Sequence, residues 1–321
     1  MTERKESIAG RGPRDTLARG NPRGMTERNE SIAGRGPRDT LARGNPRGMT
    51  RRTEAWLIQG ALIAAAIVTL FPLVWMISVS LMSPGEASAS PPPLLPSAPT
   101  LANYRELFRR GDITRNLVNS LGVAIAATLL SLAFNVSAGY AFAKLKFAGR
   151  DLVWKLLLGV MLIPAQVAMI PLFLMLKQLG LINSYAGVLI PSIANVFGIF
   201  LVRQYALSLP DELIEAARID GAGEPRIFWS IVLPVLRPVL VTLAIFAFLG
   251  AWNDFLWPLI ILADHGRQTL PVALAALARE HAGDSELMMA GAVITIVPVL
   301  AVFLALQRYY LQGLLTGSVK G

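Results

Sequence analysis

The chain has 321 residues, of which 54% are hydrophobic and only 16% are charged. Soluble domains carry about 25% charged residues, so this composition and a mean hydropathy of +0.51 exclude an ordinary soluble domain and indicate a membrane protein. The sequence contains no cysteine, which excludes disulfides, a thiolate nucleophile and a thiolate metal site. The formal net charge of +9 comes from the N-terminal region and the loops, so it does not indicate a nucleic-acid partner.

The N-terminal region is a tandem repeat. Residues 1–24 and 25–48 have the same sequence, except that Lys5 is replaced by Asn29. A repeat that is rich in Arg, Gly and Pro and poor in large apolar residues cannot bury a core. We therefore predict that residues 1–48 form a disordered tail, which either is dispensable or touches anionic lipid, and that residues 49–321 form the membrane domain. Three positions begin Met-Thr and could be the translation start: Met1, Met25 and Met49.

Six apolar runs follow the tail. They cover residues 55–85, 116–143, 156–176, 178–202, 238–262 and 287–307. Each run can supply the ~20 residues that a helix needs to cross ~30 Å of hydrocarbon. The sequence therefore predicts an all-α membrane protein with six transmembrane helices.

The distribution of basic residues predicts the orientation of these helices. With a cytoplasmic N-terminus, the inner segments after Gly48 carry twelve Lys or Arg residues and the outer segments carry seven. Because basic residues accumulate on the cytoplasmic side, we expect both termini to be cytoplasmic. The same orientation places the loop between the fourth and fifth spans in the cytoplasm.

The segment from Thr100 to Arg115 lies on the outer side in this orientation. Thr100 is a plausible helix N-cap. The spacing of apolar residues predicts one helical face made of Leu101, Tyr104, Leu107 and Phe108. This segment is either a docking ledge for an extracytoplasmic binding protein or an interfacial helix.

The loop between the fourth and fifth apolar runs, about residues 205–234, is predicted to contain two short helices. Ser208 and Asp211 have the spacing of a capping box around Pro210, and Gly221 is expected to end the first helix. Pro225 can open the second helix, which we expect to close at Leu233-Pro234. The pair should form an L-shaped knob on one membrane face.

Several polar residues lie within the apolar runs. Trp252, Asn253 and Asp254 fall in the outer half of the fifth run, where an ionisable group should face the bundle or a water-filled cavity. They either line a translocation path, where aromatic faces and carboxylates suit a sugar, or brace the fifth helix. Further candidates for the path are Gln166, Asn135 and Asn195. The prolines within the runs are expected to mark kinks; they are Pro164, Pro171, Pro191 and Pro298.

The loop from Glu215 to Pro234 resembles the EAA loop of ATP-binding-cassette (ABC) importer permeases. The matching residues are Glu-Ala-Ala at 215–217, Asp-Gly-Ala at 220–222 and Ile-Val-Leu-Pro at 231–234. Other blocks are similar to the carbohydrate-uptake branch of that family, typified by the maltose permeases. These blocks are Pro99–Tyr104, Asn119-Ser120, Ala138–Ala143, Trp252–Phe255 and Gly313–Gly321. The resemblance covers nearly all of residues 55–321.

This resemblance implies a transport subunit of a bacterial or archaeal inner membrane. In that family the loop docks on a separate ATPase, so the resemblance implies that Glu215, Ala216, Ala217, Asp220, Gly221, Leu233 and Pro234 couple the chain to ATP hydrolysis. Glu215 would pair with a basic group of the ATPase. The implied partners are a second, similar permease, two ATPase subunits that bind the ATP, an extracytoplasmic sugar-binding protein and membrane lipid. Without the resemblance, Glu215 could simply stabilise the N-terminal turn of a helix through the helix dipole. Gly221 could be an ordinary helix end.

Other functions fit the sequence less well. The chain contains no G-x-x-x-x-G-K-[ST] loop, so we expect no ATPase site and no enzymatic activity of its own. A secondary transporter usually has several ionisable residues in its spans, and only Asp254 qualifies. The outer segments balance seven basic with seven acidic residues, which favours a neutral sugar over a charged solute; a polyol or a glycerophospho compound is the alternative.

Overall fold

The computed structural model describes residues 47–110, 112–281 and 283–318, with side chains between 54 and 307 in these ranges. Secondary structure in this part of the chain is entirely helical. The chain divides into two units, Met1–Gln59 and Gly60–Gly321, and of the first unit only the start of a helix is described. Residues 1–46 of the expected tail lie outside the described residues, whereas Arg47 and Gly48 already belong to the first helix.

The helices are α1 Arg47–Ser80, α2 Ala102–Arg109, α3 Ile113–Lys144, α4 Arg150–Val160, α5 Ala165–Gln178, α6 Tyr185–Ile193, α7 Val196–Leu207, α8 Asp211–Ile219, α9 Glu224–Ile227, α10 Leu233–Val235, α11 Arg237–Trp252, α12 Leu256–Ile261, α13 Leu270–Glu280 and α14 Ser285–Ser318. A π-helical turn, Phe228–Val232, joins α9 to α10. Single 3₁₀ turns lie at Glu86–Ser88 and His265–Arg267.

The described helices confirm the all-α membrane fold. Four helical stretches are long and apolar enough to cross a bilayer: Glu54–Ser80, Ile113–Lys144, Tyr185–Leu207 and Ser285–Gln307. Two bent pairs raise the number to as many as six, because α4 and α5 meet at 106° and the Glu224–Val235 stretch meets α11 at 80°. The cytoplasmic position of the termini stays a prediction.

The prolines do not all interrupt helices. Pro164 is the N-cap of α5 and lies at the 106° bend, and α6 ends at Ile193, shortly after Pro191. Pro171 and Pro298 lie inside helices that continue beyond them. A proline within a membrane helix is tolerated where neighbouring groups satisfy the carbonyl that it leaves free.

α3 lies at the centre of the bundle and approaches α7 closely. Val136 and Tyr140 of α3 share a buried cluster with Val202 of α7 and with residues of α11. A Cβ atom added at Gly139 would lie 2.7 Å from the Cβ of Val202. Small residues at such crossings let membrane helices pack backbone to backbone, so Gly139 sets the distance between α3 and α7.

A second buried cluster lies at the end of the bundle where α3 begins. Leu107 of α2, Phe248 and Trp252 of α11, Leu270 of α13 and Leu287 of α14 belong to it. Five helices, counting α3 through its Ile113, are therefore joined at this end. We call this end of the bundle the opposite end. The end of the bundle where α3 finishes is called the coupling end.

Replacing Gly139 with Ala should destabilise the protein, because the added methyl group has no room against Val202. Overpacking of this kind costs about 1–3 kcal/mol. The matched control is Gly122→Ala in the same helix, where a Cβ atom meets nothing within 4 Å. The measurement is the thermal unfolding midpoint of the two purified variants in detergent. Equal midpoints would contradict the close packing of α3 on α7.

Candidate functional site

Residues 208–236, here called the coupling segment, begin differently from the prediction. α8 starts at Asp211 with Pro210 as its N-cap, so the prediction that Ser208 caps this helix is wrong. Ser208 instead ends α7, and its Oγ donates a hydrogen bond to the carbonyl oxygen of Tyr205 at 2.7 Å. A serine hydroxyl can bond either to a following N–H or to a preceding carbonyl, and here the preceding turn takes it.

Gly221 ends α8, as predicted. Its φ is 81°, a left-handed conformation that glycine adopts without a Cβ clash. The N–H of Gly221 donates to the carbonyl of Arg218 at 3.0 Å, and the N–H of Ala222 donates to that of Ala217 at 2.9 Å. These two bonds form a Schellman motif, which turns the chain sharply between the two arms of the coupling segment.

The second arm starts as predicted but ends later. Pro225 lies in the first turn of α9. We predicted that this helix closes at Leu233-Pro234. It instead continues through the π turn to Val235 and bends by 80° before α11. Pro234 lies in the first turn of α10, where its missing N–H costs little, and α10 ends one residue later at Val235.

The inner face of the coupling segment is packed on the bundle. Ile214 and Ala217 of α8 and Ile227 and Val232 of the second arm are buried. They share one apolar cluster with α3, α7 and α11. The segment is therefore part of the folded core and not a free loop.

Two polar contacts hold the coupling segment on the last turns of α3. The Lys144 Nζ donates to the carbonyl of Leu209 and to Asp211 Oδ1, both at 2.6 Å. The Lys144 side chain is only 6% exposed, against 75% for Asp211, and its hydrogen bond holds the pKa of the Asp211 carboxyl below its usual value. An ammonium so nearly buried needs such partners.

The second contact reaches the other arm. The Tyr140 hydroxyl donates to Glu224 Oε2 at 3.2 Å, and Glu224 Oε1 lies 2.6 Å from Arg218 Nη2. Because Arg218 belongs to α8 and Glu224 to α9, this pair also ties the two arms together. Sequence reasoning missed Tyr140, Lys144 and Glu224; the only signal was their place in or beside blocks that resemble the family.

The residues predicted to couple the chain to an ATPase divide by exposure. Glu215, Ala216, Asp220, Gly221 and Pro234 are exposed, whereas Ala217 is buried and Leu233 is half-buried. Two large apolar side chains that sequence reasoning missed are exposed in the same segment: Ile219 at 86% and Trp229 at 68%. Glu215 and Ile219 are four residues apart on α8 and so lie on one helical face.

The three residues predicted to line the path, Trp252, Asn253 and Asp254, differ in their exposure and contacts. Trp252 is 1% exposed, stacks on Phe248 with ring centroids 6.0 Å apart, and donates from Nε1 to the carbonyl of Thr295 at 3.0 Å. These contacts match the alternative in which Trp252 braces the fifth helix. Asn253 is exposed and Asp254 is half-buried, with Asp254 Oδ1 accepting from the N–H of Trp257 at 3.4 Å.

Two of the other polar candidates meet at the break between α6 and α7. Asn135 is fully buried, donates to Ser131 Oγ at 2.6 Å and accepts the N–H of Asn195 at 3.0 Å. Asn195 caps α7 through its side chain. A cavity of about 120 Å³ beside this break is lined by Ser131, Ser192 and Asn195 among others. Gln166 lies on an exposed part of α5, away from this cluster.

The outer segment presents a different face from the one predicted. Leu101 and Phe108 are exposed, whereas Asn103 and Leu107 are buried. Leu101 precedes α2, and the Asn103 amide donates to the carbonyls of Ser80 and Met82. Helix ends leave carbonyls without intrahelical partners, so a buried asparagine is needed where the periodicity alone favours an apolar residue.

Comparisons with known proteins agree with this architecture. Residues 136–315 match the family described as binding-protein-dependent transport system inner membrane component. The chain is 38% identical over 270 residues to an arabinooligosaccharides transport system permease protein of Halalkalibacterium halodurans, covering 83% of this chain and 97% of that protein. It is 32% identical over 261 residues to a lactose transport system permease protein of Rhizobium radiobacter, covering 80% and 93%.

A solved structure is also similar. A chain of a bacterial ABC transporter involved in the import of the acidic polysaccharide alginate has a TM-score of 0.73 and 25% identity, with 81% of this chain and 98% of that chain covered.

The chain therefore belongs to the inner membrane components of binding-protein-dependent transport systems, the permeases of ABC importers. The matched residues run from α3 to α14 and include the whole coupling segment. The family resemblance and the inner-membrane location predicted from the sequence are confirmed.

Replacing Trp252 with Ala should unfold the opposite end of the bundle, because the ring fills the cluster and bonds to Thr295. Removing a buried aromatic side chain costs about 3–5 kcal/mol. Asn253→Ala, at the exposed neighbour, is the control and should leave stability unchanged. The measurement is the thermal unfolding midpoint of both variants in detergent. A wild-type midpoint for Trp252→Ala would return Trp252 to the list of path residues.

Proposed function

We propose that the chain is one of two similar permease subunits of an importer that moves a neutral sugar into the cytoplasm. Two separate ATPase subunits hydrolyse ATP, and an extracytoplasmic sugar-binding protein delivers the sugar. The observation that carries this proposal is the coupling segment, which is anchored on its inner face and exposes Glu215, Ile219 and Trp229 on its outer face.

The exposed surface of the coupling segment has the chemistry of a docking site. Large apolar side chains such as Ile219 and Trp229 are costly to leave in water beside charged residues, and in protein interfaces such side chains become anchors. Glu215 lies on the same helical face as Ile219 and can pair with a basic group of the ATPase. Ala216 leaves the backbone accessible, and Asp220 and Gly221 set the angle between the arms. Leu233 and Pro234 lie at the other end of the second arm, just before its 80° bend into α11.

A second subunit is needed to complete a path. The 120 Å³ cavity beside the α6–α7 break is well below the roughly 300 Å³ at which ligand pockets begin. Large parts of α4 and α5 are apolar and exposed, including Leu152, Leu156 and Ile170, and such faces need lipid or another subunit. We propose that Asn253 and Asp254 face the shared path, with Trp252 holding them in position.

The energy source lies in other chains. The absence of a Walker loop from the sequence supports a permease that binds no ATP and catalyses no reaction. When ATP closes the two ATPases, the coupling segment moves with them, and the spans packed on it rock between inward-open and outward-open states. Hydrolysis of the ATP resets the cycle.

The substrate class follows from charge and from the relatives. The outer segments balance their charges, so they do not concentrate an anionic solute, and the named transport systems of two relatives act on arabinooligosaccharides and lactose. A neutral mono- or oligosaccharide fits both observations. A polyol or a glycerophospho compound is the alternative class.

Gly221→Val should uncouple transport from ATP hydrolysis, because a β-branched residue at a φ of 81° costs about 1 kcal/mol or more and turns the second arm away. Glu215→Lys should act at the same contact by like-charge repulsion. The control is Gly60→Val in α1, outside the coupling segment, where φ is not positive and an added Cβ atom meets nothing within 4 Å.

The readout for these variants is the ATPase activity of the purified complex in nanodiscs, with and without the loaded binding protein, together with retention of the ATPase during purification. Gly221→Val and Glu215→Lys should insert normally but lose ATPase retention or stimulation, while Gly60→Val behaves as wild type. If both variants stay fully coupled, residues 208–236 are not the docking surface.

The substrate class can be read from the binding protein that co-purifies with the complex. In a thermal-shift screen, neutral oligosaccharides should raise its unfolding midpoint, because a bound ligand stabilises the folded state. Polyols and glycerophosphodiesters are screened under the same conditions. A shift with glycerophosphodiesters alone would replace the sugar by the alternative class and leave the importer itself intact.

A further inference from the structure

α3 is the candidate span of the described bundle that has neither a break nor an internal proline. It has 32 residues without an internal proline, whereas α1, α5, α6 and α14 contain one each. Among the described spans, the α4–α5 pair is bent, α6 and α7 are separate helices, and α11 follows a bend of 80°. Sharp kinks arise at prolines and at breaks in the hydrogen-bond ladder, so α3 is the stiffest candidate span of the described bundle.

The coupling end of α3 carries the two contacts described above. Lys144 holds Leu209 and Asp211 at the start of α8, and Tyr140 holds Glu224 at the start of α9. Beside them, buried apolar residues of α3, α7 and the coupling segment pack in one cluster. A displacement of the coupling segment must therefore move the end of α3 or break these bonds.

The opposite end of α3 is tied to a different loop, residues 265–270. Asn116 Nδ2 donates to the carbonyls of His265 and Gln268 at 3.1 and 2.9 Å. Asn119 Nδ2 donates to those of Gly266 and Gln268 at 3.0 and 3.1 Å.

A third residue of α3, Ser120, accepts the N–H of Leu270 at 2.7 Å through its Oγ. Leu270 begins α13. With the two asparagines, three side chains on neighbouring turns of α3 thus satisfy a backbone that leads directly into α13.

We infer that α3 is a transmission strut that connects the coupling segment to the 265–270 loop and α13, with Lys144 and Asn119 as positioning residues at its two ends. At about 1.5 Å per residue the helix is about 48 Å long, so it reaches from one end of the bundle to the other. The bonds of Asn116 to Gln268 and of Ser120 to Leu270 are buried, and the Lys144 side chain is nearly buried; buried hydrogen bonds are strong and specific, so both ends move with the helix. The inference rests on the proposed importer function and names the residues that transmit its movement.

A strut with ties in series makes a quantitative prediction. Breaking either tie should interrupt the same transmission, so breaking both should cost no more than breaking one. Two distant residues that act independently would instead add in free energy and multiply in rate.

The test uses the complete complex in nanodiscs and measures the ratio of ATPase activity with and without the co-purified, loaded binding protein. Asn119→Leu removes two of the five hydrogen bonds of the outer tie, and Lys144→Met removes both hydrogen bonds of Lys144 at the inner one. Lys144→Arg keeps the charge and the donors and should restore stimulation. Matched controls are the exposed neighbours Val118→Leu and Lys146→Met, which should match wild type. If Asn119→Leu does not assemble, Asn119→Ser, whose side chain is too short to reach the loop, replaces it.

We expect each single variant to lower the stimulation ratio about threefold or more. The double variant should have the same ratio as the single variant with the lower ratio. Wild-type stimulation in either single variant, or a product of both losses in the double variant, would overturn the strut. A failed proposed function is visible separately, because the wild-type complex would then contain no ATPase subunit or show no stimulation at all.

Discussion

The packing of the coupling segment on the last turns of α3 is the contact on which the rest of this structure depends. Ile214 and Ile227 enter the same apolar cluster as Tyr140, and the nearly buried Lys144 bonds to the chain just before α8. Without this anchorage, exposed residues such as Glu215 and Ile219 would be carried on a flexible loop. Because the segment is anchored, a displacement of these exposed residues also displaces the membrane helices.

The bundle combines stiff and interrupted spans. α1, α3 and α14 are continuous, while the other spans are bent or broken, at Pro164, between α6 and α7, and before α11. Close contact through Gly139 brings α7 against α3, and the fully buried Asn135 satisfies the backbone at the break. Irregular backbone at membrane depth is tolerated where protein groups satisfy it, as Asn135 of α3 does at the break between α6 and α7.

Several polar side chains of the bundle form hydrogen bonds with backbone groups and do not line a path for solutes. Asn103 bonds to the buried carbonyls of Ser80 and Met82 at the end of α1, and Asn116 and Asn119 hold the 265–270 loop. Trp252 bonds to a carbonyl of α14. A polar residue within or beside an apolar run therefore marks a place where the chain leaves regular helix at least as often as it marks a path.

The sequence by itself determined the all-helical membrane fold, the positions of the apolar runs, the turn at Gly221 and the helix start at Pro225, because these depend on local composition, on positive φ and on the proline ring. The family was indicated by the resemblance of residues 215–234 to the EAA loop. Only the tertiary structure decided that Ser208 ends a helix, that the helix runs past Pro234, that Leu101 and Phe108 face outward, and that Trp252 is buried. These depend on groups far away in the chain, such as Thr295 for Trp252 and Ser80 for Asn103, and no local pattern carries information about a partner that only folding brings near.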